Sequence, residues 1–298
     1  MIQSVPRLVK QHKVNAALPE ERTLYGSSMD QFIDFARKYE QVLRQLFHEF
    51  GVSWKDVYLN SDVGKERLAL ANIMGLGQED NVLDLGCGRG FFTIAAAYQA
   101  KFVIGLDLMN GLGRKGWWQR FNLTMRKLQL SNKVAGVKGN ASKMSFKDQT
   151  FSVTSSVHAI RNFQDIKAIK DAFKEMKRVT KKSGRVIVVE TLPLAKNKAQ
   201  EAHMRMFNCK VKYSRGELFY LTEEELINLL ESAGLRISKI KTFDFNLSVA
   251  PPYFLLNIST LPEEQRAEAV REYNEAVEAI KECGEASPPM LVAEAVAG

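Results

Sequence analysis

Three alternating glycines form the part of the sequence with the clearest chemical use. Gly86, Gly88 and Gly90 follow the apolar run 82–85 and precede a helical pattern. Glycine has no Cβ, so it turns tightly and lets a ligand approach the main chain. Amides at the start of the next helix can then receive polar ligand atoms. The pattern predicts a ligand-binding turn between a strand and a helix at 92–100.

The glycine spacing discriminates between nucleoside ligands. Dinucleotide-binding turns read Gly-x-Gly-x-x-Gly, whereas Phe91 directly follows Gly90 here, which disfavours NAD and FAD. Asp107 ends the next strand 17 residues after Gly90, near the offset at which a carboxylate accepts hydrogen bonds from ribose hydroxyls. S-adenosylmethionine (SAM), a nucleoside with an amino-acid tail and no pyrophosphate, suits this combination. Asp84 lies inside the first strand, where a carboxylate needs hydrogen bonds, and we expect it to orient the turn or the SAM amino group.

Short β-rich runs alternate with longer helical patterns from residue 81 onward. This alternation is typical of a parallel sheet with helices on its faces. The predicted strands are 81–85, 102–106, 134–137, 151–157, 185–189, 237–243 and 290–296. The predicted fold class is therefore α/β, with a seven-stranded, Rossmann-like, mostly parallel sheet and helices on both faces. A helix at 262–283 forms an insertion before the last strand.

These motifs resemble the class I SAM-dependent methyltransferases over roughly residues 81–190. The resemblance implies that Asn140 and Ala141 read the adenine, where the family has an Asp-Ala pair. The stretch 159–165, Ala-Ile-Arg-Asn-Phe-Gln-Asp, is similar to the Gly-Leu-Arg-Asn segment of the ubiquinone/menaquinone C-methyltransferases. That similarity implies that Arg161 and Asn162 line the reaction site. Beyond residue 190 the similarity to the quinone enzymes ends.

The resemblance also implies a domain organisation. Residues 1–75 form a helical N-terminal extension, in which an apolar stripe within 29–50 is expected to face a core. Residues 76–298 form the class I methyltransferase domain. Within that domain, 191–222 is expected to be a substrate lid and 259–287 the helical insertion.

Several side chains are candidates for chemistry, each with an alternative role. His158 is a general base, since imidazole titrates near neutral pH, or a hydrogen-bonded structural histidine. Arg161 holds an anionic or enolate-like oxygen of the substrate through its fork of donors, or forms a surface ion pair. In the lid, His203, Tyr213 and Tyr220 contact substrate, or this segment packs as an amphipathic helix. The expected cofactor contacts are Asp84, Gly86, Cys87, Gly88, Gly90, Asp107, Leu108, Asn140, Ala141 and Val157.

Charge and composition leave the partner open. The net charge is +8, and residues 111–182 hold 17 Lys and Arg against 4 Asp and Glu. The segment 113–122 combines cations with adjacent tryptophans, which suits a membrane surface, base stacking or ordinary packing. We expect a small-molecule or lipid acceptor with possible peripheral membrane contact. RNA or protein methylation is the alternative, and a non-catalytic SAM-binding module is a third.

The same composition bears on location and metal content. The first residues lack the apolar core of a signal peptide, so we expect a cytoplasmic protein. Its 3 cysteines lack the spacing of a metal site, and no metal is expected. Nothing in the sequence indicates the oligomeric state.

Overall fold

The computed structural model describes residues 63–108, 118, 121–122, 125–126, 128–213, 220–245 and 261–298. The apolar stripe predicted within 29–50 lies outside these residues, as does most of the predicted N-terminal extension. Of the basic segment 113–122, the described members are Trp118, Phe121 and Asn122.

Helices and strands alternate along the described chain. The helices are α1 (Val63–Ile73), α2 (Phe91–Ala97), α3 (Ile166–Val179), α4 (Lys198–Tyr213), α5 (Glu223–Ser232) and α6 (Glu263–Cys283). The strands are β1 (Asn81–Leu85), β2 (Phe102–Asp107), β3 (Val134–Lys138), β4 (Phe151–Val157), β5 (Thr180–Thr191), β6 (Arg236–Phe243) and β7 (Met290–Val296). A short 3-10 helix, Ile160–Asn162, follows β4.

The seven strands form one sheet in the order β3-β2-β1-β4-β5-β7-β6. Strands β1 to β5 pair in parallel, whereas β7 runs antiparallel to both β5 and β6. The predicted seven-stranded, mostly parallel α/β fold is confirmed. The strand order reverses between β1 and β4, and ligands of such sheets bind beside the carboxyl ends of the strands at that reversal. The glycine turn after β1 and the 3-10 helix after β4 meet there.

Apolar side chains cover both faces of the sheet. Helices α1 and α2 pack on one face, and α3 and α5 pack on the other. Phe173 of α3 is fully buried, which stabilises the fold by roughly 2 kcal/mol relative to an exposed side chain. Polar caps begin the helices of the second face: Asp165 accepts a hydrogen bond from the Ala168 amide at 2.6 Å, and Thr222 forms a capping box with Glu225.

The two edges of the sheet carry basic side chains. Strand β6 forms one edge, and Arg236, Lys239 and Lys241 are exposed along it. Strand β3 forms the other edge and ends at the exposed Lys138. Helix α4 packs on α6 through the buried Ala269 and Ala276, outside the sheet.

Two predicted boundaries were wrong. Strand β5 begins at Thr180 rather than at 185, because Thr180 pairs with Phe151 before a bulge in the β4–β5 register. The polar residues between 180 and 185 hid this part of the strand. Helix α2 ends at Ala97 rather than at 100, since the chain turns there to enter β2. In the part of the chain that the structure describes, no helix is long and apolar enough to cross a lipid bilayer.

Candidate active site

The glycine turn adopts a backbone that other residues rarely take. Gly86, Gly88 and Gly90 have φ angles of 73°, 52° and 85°, all in the left-handed region. A Cβ at Gly86 would collide with the Cβ of Ala159, so the turn after β1 lies directly against the segment after β4. A Cβ at Gly88 would meet nothing closer than 3.9 Å, so the middle of the turn faces open space. This shape is a cradle in which a ligand can lie against main-chain atoms.

Two carboxyl groups flank the cradle. Asp107 at the end of β2 accepts a hydrogen bond from the Gly88 amide, with a distance of 2.9 Å to Oδ2. Asp84 is buried within β1, and its Oδ2 accepts a hydrogen bond from the Thr93 hydroxyl at 2.5 Å. Burial raises the pKa of Asp84 to about 7, although the Thr93 hydrogen bond opposes the shift. Asp84 therefore joins β1 to α2 beneath the turn.

The other expected cofactor residues surround the same cradle. Cys87 is buried with its sulfur against Gly105, so burial raises the pKa of its thiol and its backbone is the part that faces the cradle. Leu108 follows Asp107 and is 46% exposed, which leaves an apolar surface beside that carboxylate. The Asn140 side-chain oxygen accepts a hydrogen bond from the Ser142 amide at 2.9 Å, which shapes the turn that also holds Ala141. Val157 is buried at the end of β4.

The residue after β4, His158, has an unusual backbone and a buried ring. Its φ of 53° is left-handed, and its amide donates to the Val189 carbonyl at 2.8 Å. The ring Nε2 lies 3.0 Å from Glu66 Oε1 of α1, and Nδ1 lies 3.3 Å from Thr191 Oγ1 of β5. Burial lowers the pKa of His158 well below its usual value, and the nearby Arg67 and Arg161 cations lower it further. Both ring nitrogens are thus engaged, and the ring is neutral at physiological pH.

Arg161 lies three residues further on, in the 3-10 helix that follows β4. Its Nη1 donates to Thr191 Oγ1 at 3.2 Å, and its Nε lies 3.9 Å from Glu190 Oε2. Glu190 is buried and accepts a hydrogen bond from the Ile160 amide at 3.0 Å. Burial raises the pKa of Glu190 to about 7, while Arg161 and backbone amides oppose the shift.

Aromatic rings from the predicted lid form a wall beside Arg161. Its guanidinium lies 5.6 Å from the centre of the Phe207 ring, and the Tyr220 ring packs edge-on against Phe207 with 4.7 Å between centroids. Burial raises the pKa of Tyr220, so its phenol keeps its proton. The His203 ring stacks on the Phe207 ring. Its Nδ1 lies 2.6 Å from Glu285 Oε1.

The predicted substrate residues do not all gather here. The structure places His203 and Tyr220 around Phe207, next to Arg161, but it places Tyr213 in a separate cluster. There Tyr213 packs with Cys209 of α4 and with α6. The Asn162 side-chain amide points back toward the carbonyls of His158 and Ala159, at 3.4 Å from each oxygen. Asn162 therefore supports the turn that carries His158.

Two acidic residues of this site, Glu66 and Glu190, have no role in the predictions made from the sequence. Glu66 belongs to α1, and only the tertiary fold brings it to His158, 92 positions away. Glu190 follows the predicted strand 185–189 and has no predicted role, although a carboxyl group after the apolar run 186–189 was a usable signal. Thr191 and Phe207 had no distinguishing pattern.

Comparisons with known proteins agree with this geometry. Residues 83–188 match a family model described as a methyltransferase domain. The demethylmenaquinone methyltransferase of Bacillus cereus is 29% identical over 195 residues, which cover 59% of this chain and 78% of that protein.

Solved structures share the fold at lower sequence identity. A cyclopropane-fatty-acyl-phospholipid synthase-like protein from Lactobacillus casei superposes with a TM-score of 0.58 at 17% identity, covering 78% of this chain and 90% of that one. The YcgJ protein from Bacillus subtilis gives a TM-score of 0.54 at 16% identity, covering 78% and 98%. The family match, the curated relative, the strand order and the glycine cradle together identify the chain as a class I methyltransferase that uses SAM.

Proposed function

We propose that the enzyme methylates a small, lipid-soluble acceptor that carries an anionic or enolate-like oxygen near the reacting atom. The position of Arg161 carries this proposal. Its guanidinium lies above the Phe207 ring. Arg161 also belongs to the segment after β4, whose Ala159 lies against the glycine turn. A cation set among aromatic rings suits an acceptor that combines a negative oxygen with an apolar body.

The cradle fits SAM in shape and in chemistry. The open middle of the turn at Gly88 accommodates the methionine tail against main-chain atoms. In this proposal Asp107 accepts hydrogen bonds from the ribose hydroxyls, and Leu108, Asn140 and Ala141 contact the adenine. Bound SAM supplies an electrophilic methyl group, which it gives up when the acceptor atom attacks in line with the carbon–sulfur bond.

The protein's own residues then orient the acceptor and exclude water. Arg161 donates hydrogen bonds to the acceptor oxygen and stabilises its negative charge. Phe207 and Tyr220 contact the apolar body of the acceptor, and the protonated phenol of Tyr220 provides a further donor. His203, with its ring oriented by Glu285, completes the acceptor side of the site.

The curated relative supports a quinone-like acceptor. That protein is a demethylmenaquinone methyltransferase, and the similarity covers 59% of this chain. A lipid-soluble acceptor would be drawn from a membrane surface by a cytoplasmic enzyme. The net charge of +8 favours such contact with anionic lipid.

Cofactor binding is expected to release a proton from Asp84. In the free protein this carboxyl group has a pKa of about 7, so it is mostly protonated at about pH 6. The SAM ammonium group favours the ionised form, and binding therefore lowers the pKa of Asp84. Titration calorimetry at about pH 6 in two buffers of different ionisation enthalpy should give different binding enthalpies. The Asp84→Asn variant should give the same enthalpy in both, and a buffer dependence that persists in this variant would contradict the assignment.

The acceptor is tested with purified protein, SAM and a reduced demethylmenaquinone analogue with a short isoprenoid tail. We expect S-adenosylhomocysteine to form and the analogue to gain one methyl group, as read by mass spectrometry. The matched control is the menaquinone analogue that already carries the methyl group, and it should not react.

Total RNA and a mixture of unmodified proteins are tested as acceptors in parallel. Methylation of either, without methylation of the quinol or of a panel of lipid-soluble phenols, would overturn the proposal. A steep loss of activity with added salt would then indicate nucleic acid rather than protein as the acceptor.

A further inference from the structure

Four side chains from four different elements form a continuous hydrogen-bonded line. Glu66 of α1 contacts His158 at 3.0 Å, His158 contacts Thr191 of β5 at 3.3 Å, and Thr191 contacts Arg161 at 3.2 Å. The line begins at the N-terminal end of the described chain and ends at the guanidinium that faces the acceptor.

The chemistry of its two ends sets the direction of the line. Arginine only donates, and an ionised carboxylate only accepts. Arg161 therefore donates to the Thr191 oxygen, the Thr191 hydroxyl donates to His158 Nδ1, and His158 Nε2–H donates to Glu66. Each group has one role, and the imidazole ring is restricted to a single neutral tautomer. Arg67 forms an ion pair with Glu66.

The backbone at His158 gives independent support. A non-glycine residue with a φ of 53° is strained by about 1 kcal/mol or more. Glycine would relieve that strain, whereas histidine offsets it through the contacts of its ring with Glu66 and Thr191. The His158 amide is tied to β5 by its bond to the Val189 carbonyl, which directs the ring between α1 and β5.

Arg161 needs such support because it has competing neighbours. Glu190 attracts the guanidinium from 3.9 Å, and the guanidinium also lies 5.6 Å from the centre of the Phe207 ring, which packs against Tyr220. The bond to Thr191 sets which direction the fork of donors faces. Thr191 is itself held by His158, and His158 by Glu66.

We propose that Glu66 and His158 are positioning residues that aim Arg161 at the acceptor through Thr191, so that helix α1 completes the active site. This inference rests on the proposed function only for the identity of the acceptor that Arg161 binds. The hydrogen-bonded line exists in the protein without acceptor, so the first test uses protein without acceptor.

The first measurement is nitrogen-15 NMR of histidine-labelled protein, with SAM but without acceptor. We expect His158 to be neutral and to carry its proton on Nε2. His203 is the internal control, because its Nδ1 faces Glu285 and should carry a proton. Signals are assigned with His158→Asn and His203→Asn. A His158 ring that is protonated on Nδ1 at neutral pH would overturn the proposed line.

The second measurement tests positioning by comparing Thr191→Val with Thr191→Ser. The valine variant keeps the shape but loses the hydroxyl, so the guanidinium signals of Arg161 should shift and broaden, while serine should preserve them. With the acceptor, kcat should fall about tenfold in the valine variant at unchanged SAM affinity. Unaltered Arg161 signals and kcat in Thr191→Val would overturn the positioning role.

The start of the line is tested in the same way. Glu66→Ala should lower kcat, whereas Glu66→Gln keeps an acceptor for His158 Nε2–H and should retain most activity. Glu79→Ala, an exposed acidic residue after α1, is the matched control and should change nothing. If no acceptor reacts, the proposed function fails, but the NMR signals still decide whether the line exists and holds Arg161.

Discussion

The Asp107→Ala variant is expected to bind SAM about a hundredfold more weakly than the native protein. In the proposed site the carboxylate accepts two hydrogen bonds from ribose hydroxyls, each contributing about 1.5 kcal/mol. It also accepts a hydrogen bond from the Gly88 amide at 2.9 Å, so its loss loosens the cradle as well. Titration calorimetry measures the loss of affinity for SAM and for S-adenosylhomocysteine.

Two further variants make this result specific. Asp107→Asn keeps an oxygen for the Gly88 amide but loses the charge. Its affinity for SAM should lie between those of the native protein and Asp107→Ala. Asp171→Ala removes a carboxylate that pairs with lysines on the surface of α3, and it should bind SAM normally. Native affinity in a folded Asp107→Ala protein would show that the ribose lies elsewhere.

Replacing Arg161 with alanine is expected to lower kcat about a hundredfold or more, with SAM affinity unchanged. Removing one donor that stabilises developing negative charge typically has an effect of that size. Arg161→Lys keeps the positive charge but loses the planar fork, so we expect an intermediate kcat. Initial rates of S-adenosylhomocysteine formation with the reduced demethylmenaquinone analogue provide the measurement.

The control for Arg161 is another arginine of the same domain. Arg236 is exposed at the edge strand β6, far from the strand-order reversal, and Arg236→Ala should keep native kcat. Equal kcat in the native and Arg161→Ala proteins would remove the oxyanion role. A joint loss of SAM affinity would instead place Arg161 beside the cofactor.

Local patterns were sufficient to predict the fold and the cradle. Each strand of the sheet is a short β-rich run, and the glycine turn lies between a strand and a helix that follow directly in sequence. Roles for Asp84 and Asp107 could be proposed from their spacing in the sequence. Asp84 lies in the strand before the glycine turn, and Asp107 ends the strand after the following helix.

The acceptor side could not be read in the same way. Glu66, Thr191 and Arg161 come from different elements, and their contacts exist only after the sheet and α1 have packed. Sequence reasoning considered His158 on its own, so it could not show that both ring nitrogens are occupied. Tyr213 shared an aromatic pattern with Tyr220, but it belongs to the interface between α4 and α6.

The charged edges of the sheet have a consequence for self-association. An edge strand offers unpaired backbone groups to any other strand, including the same edge of a second molecule. Arg236, Lys239 and Lys241 on β6, and Lys138 on β3, would bring like charges together if two such edges met. Repulsion between these cations therefore opposes strand-to-strand aggregation, and neutralising them should promote such aggregation.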